Sequence, residues 1–272
     1  MSKASVVLVT GISSGIGEAT ARTLVRGGWR VFGTVRSPTS EVPPDVERVV
    51  MDVRDDASVE AGIASVLARA GRIDGLVNNA GTTVSGAIEE TDTEQAQALF
   101  DVNFFGVVRV TRRVLPILRA QRSGRIVFMS SVVGFLPAPF MGFYAASKHA
   151  LEGYCESLDH EVRAFGVRAL LVEPGFMKTR IDANAARAAH PMAEYADARQ
   201  RVSAGVAASV ERGGDPAVVA NAVLAALSDW SPKLRYPVGK GAAMLATLRR
   251  WMPASLFDRS LRKEFRVDAA RG

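Results

Sequence analysis

Tyr144 and Lys148 stand four residues apart, in Tyr-Ala-Ala-Ser-Lys, at the head of a long apolar stretch. Positions i and i+4 share one face of a helix, so the phenol and the ammonium can point at one reacting group. A phenol with an ordinary pKa near ~10 is a poor base at neutral pH, and a cation beside it favours the phenolate. The pair is either a proton-transfer unit or two surface side chains one turn apart. The other motifs of the chain bear on that choice.

Thr10 to Gly17 reads Thr-Gly-Ile-Ser-Ser-Gly-Ile-Gly, after the apolar run Val6 to Val9 and before a helix predicted over Glu18 to Gly27. Strand, glycine-rich turn and helix aim the backbone N–H groups of Gly11, Ser13, Ser14, Gly15, Ile16 and Gly17 at a phosphate. The spacing, Gly-x-x-x-Gly-x-Gly, departs from the commoner Gly-x-Gly-x-x-Gly fingerprint. A strand predicted over Arg30 to Val35 leads into Arg36 and Ser37, with no carboxylate until Glu41. An acidic residue at such a point holds an adenosine ribose, whereas an arginine suits a 2′-phosphate. NADP(H) is therefore favoured over NAD(H), unless Arg36 is only a solvated loop residue. Asp52-Val53 closes a strand predicted over Arg48 to Val53, where the carboxylate either accepts from the adenine amino group or caps the helix from Ala57 to Ala70. Asn78-Asn79-Ala80-Gly81 ends the next strand, offering amides that can cross-link strands and small residues that admit a cofactor.

The elements needed to hold these groups follow from periodicity. Thr91 to Gln121 reads as one long helix with Asn103 among its apolar positions, as a hydrogen-bond hub or part of a proton path. Arg125 to Ser131 is a buried strand delivering Ser130 and Ser131. Helix Tyr144 to Phe165, strand Val167 to Glu173 and Pro174-Gly175 follow. In Thr179 to Gly214 no strand is expected, only two short helices forming a lid. Helix Asp215 to Asp229 and strand Leu234 to Val238 close an α/β fold, a single-domain Rossmann-type doubly wound parallel sheet. Residues 1–240 form the expected catalytic domain and 241–272 a C-terminal helical extension.

At 272 residues, 48% apolar and 23% charged, the chain can bury a sizeable core. Cys155 is its one cysteine, and His149, His160 and His190 form no ligand motif, so neither a disulfide nor a metal is expected. The N-terminal apolar run is too short for a signal or membrane segment, which points to a cytoplasmic protein. The net charge of +6 is concentrated at one end. Residues 233 to 272 hold ten Lys/Arg against three Asp/Glu, and the rest of the chain 24 against 25. In this tail Leu245, Leu248, Trp251, Met252, Leu256, Phe257, Leu261 and Phe265 alternate with cations, and Pro253 separates two amphipathic helices. A subunit contact or pocket cover is expected ahead of a peripheral membrane foot, and nucleic acid is not an expected partner.

Taken together, Thr10-Gly11-x-x-x-Gly15-x-Gly17, Asn78-Asn79-Ala80-Gly81, Asn103, Ser131, Tyr144-x-x-x-Lys148 and Pro174-Gly175 resemble the short-chain dehydrogenase/reductase family over Ser5 to Val238. The resemblance implies a catalytic tetrad of Asn103, Ser131, Tyr144 and Lys148, with Ser131 chosen over Ser130 by its thirteen-residue separation from Tyr144. It implies hydride transfer at a nicotinamide, Thr179 beside the nicotinamide carboxamide, and a homo-oligomer. Phe32-Gly-Thr-Val-Arg36 looks most like the hydroxysteroid and retinol dehydrogenase branches, hence a lipophilic substrate against Ser131, Tyr144 and a wall of Phe140 and Phe143. A 3-oxoacyl-type ketone reductase is the alternative within the family, and a non-catalytic NADP-binding regulator the alternative outside it.

Overall fold

Val6–Val9 is buried along its whole length, Val6 and Leu8 facing one core and Val7 and Val9 the other. A strand with two apolar faces belongs inside a sheet covered on both sides, and the computed structural model, which describes residues 4–179 and 185–264, shows that sheet. In chain order the elements are β1 (Val6–Val9), α1 (Gly15–Arg26), β2 (Arg30–Val35), β3 (Val46–Val50), α2 (Asp56–Ala70), β4 (Gly75–Asn78), β5 (Val84–Ser85), α3 (Thr93–Phe100), α4 (Gly106–Gln121), β6 (Gly124–Met129), α5 (Gly142–Val162), β7 (Val167–Pro174), β8 (Ala186–Arg187), α6 (Ala196–Glu211), α7 (Pro216–Ser228), β9 (Arg235–Val238), α8 (Ala242–Trp251) and α9 (Ala254–Glu264).

The main sheet runs β3-β2-β1-β4-β6-β7-β9 with every pairing parallel. Helices α2, α4 and α5 bury Val59, Ile63, Val110, Val114, Leu151 and Leu158 on one face. Helices α1 and α7 bury Leu24, Val219 and Val223 on the other. This is the doubly wound Rossmann-type arrangement expected from the alternation of strands and helices.

Several elements differ from expectation. β3 is displaced towards the N-terminus, because its register with β2 pairs Val31 with Val46 and Val35 with Val50, and both strands end together. The long helix is interrupted by a π-helical turn over Asp101–Phe105. Among the described residues of the expected lid the chain forms a 3₁₀ turn over Ala193–Tyr195, the 16-residue helix α6 directly after it, and β8, which pairs in parallel with β5. A two-residue strand has too few positions to show alternation, and alanine-rich α6 has few apolar residues to mark its length. Residues 180–184 of the lid and Phe265 of the tail lie outside the described residues. Helices α8 and α9 flank Pro253 as expected, and among the described residues no helix is long and apolar enough to cross a membrane.

Asp159, fully buried on α5, ties that helix to β7. It accepts hydrogen bonds from Arg168 Nε at 2.8 Å and Ala169 N at 3.0 Å and pairs with Arg163. Burial alone would raise its carboxyl, but these donors hold it below the ordinary carboxylate value. Asp159→Asn leaves the two guanidinium groups without their buried counter-charge. Denaturant titration at neutral pH should show a loss of about 3 kcal/mol.

Candidate active site

The loops after β1 and β4 are bound to each other. Thr10 Oγ1 accepts from Asn79 N at 2.9 Å and Ala80 N at 3.0 Å, while Asn79 Nδ2 donates to the carbonyls of Thr10 and Gly11 at 2.9 Å each. Gly11 N donates to Thr34 Oγ1 on β2 at 3.1 Å. The glycines make this contact possible: Gly11 has φ 71°, and a Cβ at Gly17 would lie 2.1 Å from Gly11 O. Thr34, a buried hydroxyl within β2, was not singled out in the sequence, and Thr10 was noted only as the first residue of the glycine motif.

Ser14 precedes α1 in extended conformation and makes no side-chain cap, which leaves the first N–H groups of α1 to Gly15, Ile16 and Gly17 for an external acceptor. Thr179, on the chain leaving β7, packs against Gly15, where a Cβ would sit 3.6 Å from its side chain. Pro174 ends β7, and Gly175 N donates to Val238 O at 2.9 Å. These residues fit a dinucleotide: Gly11 and Gly17 let the loops after β1 and β4 close on each other without side chains between them, beside a helix N-terminus.

Arg36 is exposed just past β2, next to Ser37, whose hydroxyl is 2.7 Å from Thr39 Oγ1. Asp52 is not the cap of α2; Asp55 is, accepting from Ser58 N at 2.6 Å. Asp52 is instead held by Arg54, with Nη2 2.6 Å from Oδ2, and that hydrogen bond lowers its carboxyl to about 2, with Arg36 adding to the effect. Val53 is buried beside it and packs against Gly106 at the start of α4.

Tyr144 and Lys148 lie on the first turns of α5, with Lys148 Nζ 5.7 Å from the Tyr144 ring centroid. Lys148 is buried and donates to Met129 O at the end of β6 at 2.8 Å. Burial lowers its ammonium to about 8, opposed by the Glu152 carboxylate one turn on. Asn103 sits in the π-helical turn, fully buried, and its amide is bonded at both ends. Oδ1 accepts from Thr82 N at 2.8 Å, and Nδ2 donates to Thr82 O at 2.9 Å and Ser147 Oγ at 3.1 Å. Ser147 in turn donates to Tyr144 O at 2.7 Å. A Cβ at Gly81 would be 3.4 Å from Asn103 Oδ1 and 4.0 Å from Lys148 Nζ, so both side chains meet at one glycine.

The two serines after β6 are differently engaged. Ser130 Oγ donates to Glu152 Oε1 at 2.7 Å in the interior. Ser131 is half-buried, and its hydroxyl makes only long contacts, to Pro174 O and from Val133 N, both 3.4 Å. Ser131 is thus the one whose hydroxyl remains available to a ligand.

Behind these residues lies a charge cluster that no sequence motif announced. Arg235 of β9 pairs with Glu152 at 2.7 Å, Glu156 at 2.9 Å and Glu173. Burial opposes the guanidinium charge, yet the carboxylates hold it above its ordinary value. Burial, with the neighbouring Glu152 charge, pushes Glu173 up to about 7 despite Arg235. A Cβ at Gly134 would come 2.1 Å from Glu152 Oε1, so the glycine leaves room for that carboxylate.

A second buried carboxylate fastens the lid. Glu90 accepts from Ala87 N and Met192 N, both at 2.8 Å, and pairs with Arg199 of α6. Burial favours its neutral form, and these donors more than reverse the effect, lowering its pKa. Phe140 meets Tyr195 edge to face at 6.2 Å, and the two line a concavity of about 580 Å³ with Ala87, Ile88, Glu89 and Ala198. Phe143 is not part of that wall. One residue into α5, it lines a separate groove with Gln97, Phe100 and Phe105, because entry into the helix turns consecutive side chains to different faces.

Residues 5–190 match the family described as short chain dehydrogenase. A 3-ketodihydrosphingosine reductase of Bacteroides thetaiotaomicron is 34% identical over 260 residues, covering 94% of this chain and 96% of that protein. A short-chain dehydrogenase structure from Streptomyces avermitilis superposes with a TM-score of 0.80 at 35% identity, covering 98% of this chain and 97% of the other. Two further structures are 27% identical: one from Burkholderia phymatum with NAD (TM-score 0.78, coverage 96% and 95%) and one from Burkholderia cenocepacia with NADP (0.75, 95% and 98%).

The buried cluster gives stability a pH signature. A carboxyl raised in the folded chain favours folding fully below its ordinary value of 4.5, and that contribution is lost as pH rises towards about 7. Urea midpoints should therefore fall for the wild type between about pH 5 and about pH 8, and fall less for Glu173→Gln. Parallel curves for the two proteins would contradict the shift.

Proposed function

The chain belongs to the short-chain dehydrogenase family, and on that premise we propose that it is an NADP(H)-dependent oxidoreductase interconverting a carbonyl and an alcohol on a lipophilic, chain-bearing substrate. The observation that carries the reading is the meeting of Asn103 and Lys148 at Gly81, with Tyr144 beside the lysine and Ser131 at the neighbouring strand end. The bound nicotinamide supplies or accepts the hydride. The chain's part is to orient the carbonyl and move the proton.

In the reductive direction the Tyr144 hydroxyl gives its proton to the developing alkoxide, and the loosely held Ser131 hydroxyl donates to the same oxygen. Lys148, protonated below about 8, favours the phenolate that remains and is fixed in place by Met129 O. Asn103 holds the loop at Thr82 against α5 through Ser147. Gly11 to Gly17, Asn79 to Gly81, Pro174, Gly175 and Thr179 hold the dinucleotide, and Asp52 and Val53 its adenine end.

For NADP(H) over NAD(H), the support is electrostatic. Arg36 follows β2 where an acidic ribose ligand would otherwise stand, and Ser37 lies beside it. For substrate class, the support is the apolar lining by Ile88, Phe140, Tyr195 and Ala198, together with the long-chain keto lipid named for the Bacteroides relative. An aliphatic chain gains about 0.8 kcal/mol for each CH₂ it buries on such a wall.

Three experiments test the reading. With NADPH and a series of methyl ketones of increasing chain length, kcat/KM should rise with length. Tyr144→Phe should lower kcat by at least about a thousandfold while NADPH still binds; retained turnover would remove the tyrosine from its role. Separately, Arg36→Ala should weaken NADPH by roughly tenfold to a hundredfold and leave NADH nearly unchanged. An equal effect on both would refute the 2′-phosphate contact.

A further inference from the structure

Helices α8 and α9 turn one face inward. Ala242, Leu245 and Met252 of this segment, with Phe257 and Leu261, pack on Val132 and Leu136. Arg249 reinforces the contact, donating to Phe135 O at 3.2 Å and lying 5.1 Å from the Phe257 ring centroid. At 3.6 residues per turn, Met244 and Trp251 then fall on the side opposite Ala242, and they are 61% and 76% exposed. Leu256, where α9 begins, is 51% exposed. Exposed cations border this strip: Arg250, 5.7 Å over the Trp251 ring, and Arg259 and Lys263, which α9 carries away from buried Phe257. Single exposed apolar residues are ordinary on a surface. Three large ones on adjoining helices, flanked by cations and held in place by a packed inner face, form a pattern.

We propose that this outer face of α8 and α9 rests on an anionic lipid bilayer. Met244, Trp251 and Leu256 would enter the boundary between headgroups and acyl chains, with Arg250, Arg259 and Lys263 against the anionic headgroups. A tryptophan suits that boundary, having an apolar ring and a polar N–H. Charge placement selects this occupant. Residues 242–264, which form the two helices, carry five Lys/Arg against two Asp/Glu, and Arg250, Arg259 and Lys263 among them are exposed, so positive charge lies beside the apolar strip. A second copy would present the same positive face to this one, and like charge opposes that pairing. The inner face of the same helices covers the segment directly after Ser131, which brings the bilayer near the strand ends where a lipophilic substrate is received.

The test is co-sedimentation of the full chain with phosphatidylcholine vesicles and with vesicles of phosphatidylcholine and phosphatidylglycerol. Wild type should pellet with the anionic vesicles, stay in solution with the neutral ones, and be released by salt. Met244→Ser with Trp251→Ser, and separately Arg250→Glu with Arg259→Glu, should each reduce the bound fraction by about tenfold or more. These side chains are exposed, and unchanged thermal unfolding confirms that the variants fold. Absence of pelleting, equal pelleting with both compositions, or binding that neither pair of substitutions alters would overturn the proposal. So would a change in mass by light scattering on Met244→Ser with Trp251→Ser, which would assign the face to a second copy. Sedimentation requires no turnover, so this outcome is independent of the substrate reading.

Discussion

A parallel sheet buried on both faces has one place to do chemistry. Its strands all point the same way, so their carboxyl ends form a single edge, and the chain leaves every strand at that edge through a loop. Gly11 follows β1, Arg36 follows β2, Asp52 follows β3, Asn79 follows β4, Ser131 follows β6 and Gly175 follows β7. Lys148 comes from a helix, yet it reaches the same edge by donating to Met129 O, the last residue of β6. The order of the motifs along the chain is thus unrelated to their order in space, which the sheet alone sets.

Just behind that edge, buried charge does the positioning that apolar packing cannot. Glu152 is one helical turn beyond Lys148, and its two oxygens reach Ser130 and Arg235. Arg235 also reaches Glu173, the residue before Pro174. One carboxylate and one guanidinium therefore fix the ends of β6, β7 and β9 relative to the helix carrying Tyr144. Three carboxylates around a single guanidinium are more negative charge than it neutralises, and the most enclosed, Glu173, responds by keeping its proton nearer neutrality. Removing one member of such a cluster is costly because the others stay buried without their partner.

Much of this was legible in the sequence, and the parts that were not share a cause. Val6–Val9 was readable because burial on both faces writes an unbroken apolar run. Helix α7 was readable because Asp215-Pro216 is a cap followed by a residue that fits the first helical position. The π-helical turn at Asn103 was not, since one extra residue in a turn leaves the surrounding apolar spacing nearly intact. Asp52 was read as a possible cap because the strand was expected to run on to Val53; with β3 ending at Val50, it is Asp55 that stands directly before α2. Arg235 lies 62 residues from Glu173 and 83 from Glu152, and no local pattern marks a side chain whose meaning is a distant partner. Phe140 and Phe143 read as one wall because they are close in sequence; the start of α5 between them sends the rings to different surfaces.

The wall around Phe140 and Tyr195 is built differently from the glycine-rich strand ends. The glycine-rich turn and the loop after β4 consist of backbone atoms and hydroxyls locked between β1, β2 and β4, where a side chain on Gly11 or Gly17 would collide. The wall around Phe140 and Tyr195 comes instead from a loop, a lid and the approach to a helix, joined by the buried Glu90–Arg199 pair and a two-residue strand pairing. The cover over Val132 and Leu136 comes from the C-terminal helices and rests largely on Phe257. Such attachments can change residue by residue without disturbing the strand ends. That separation lets a chain of this fold keep the residues at its strand ends fixed while the segments attached around them vary.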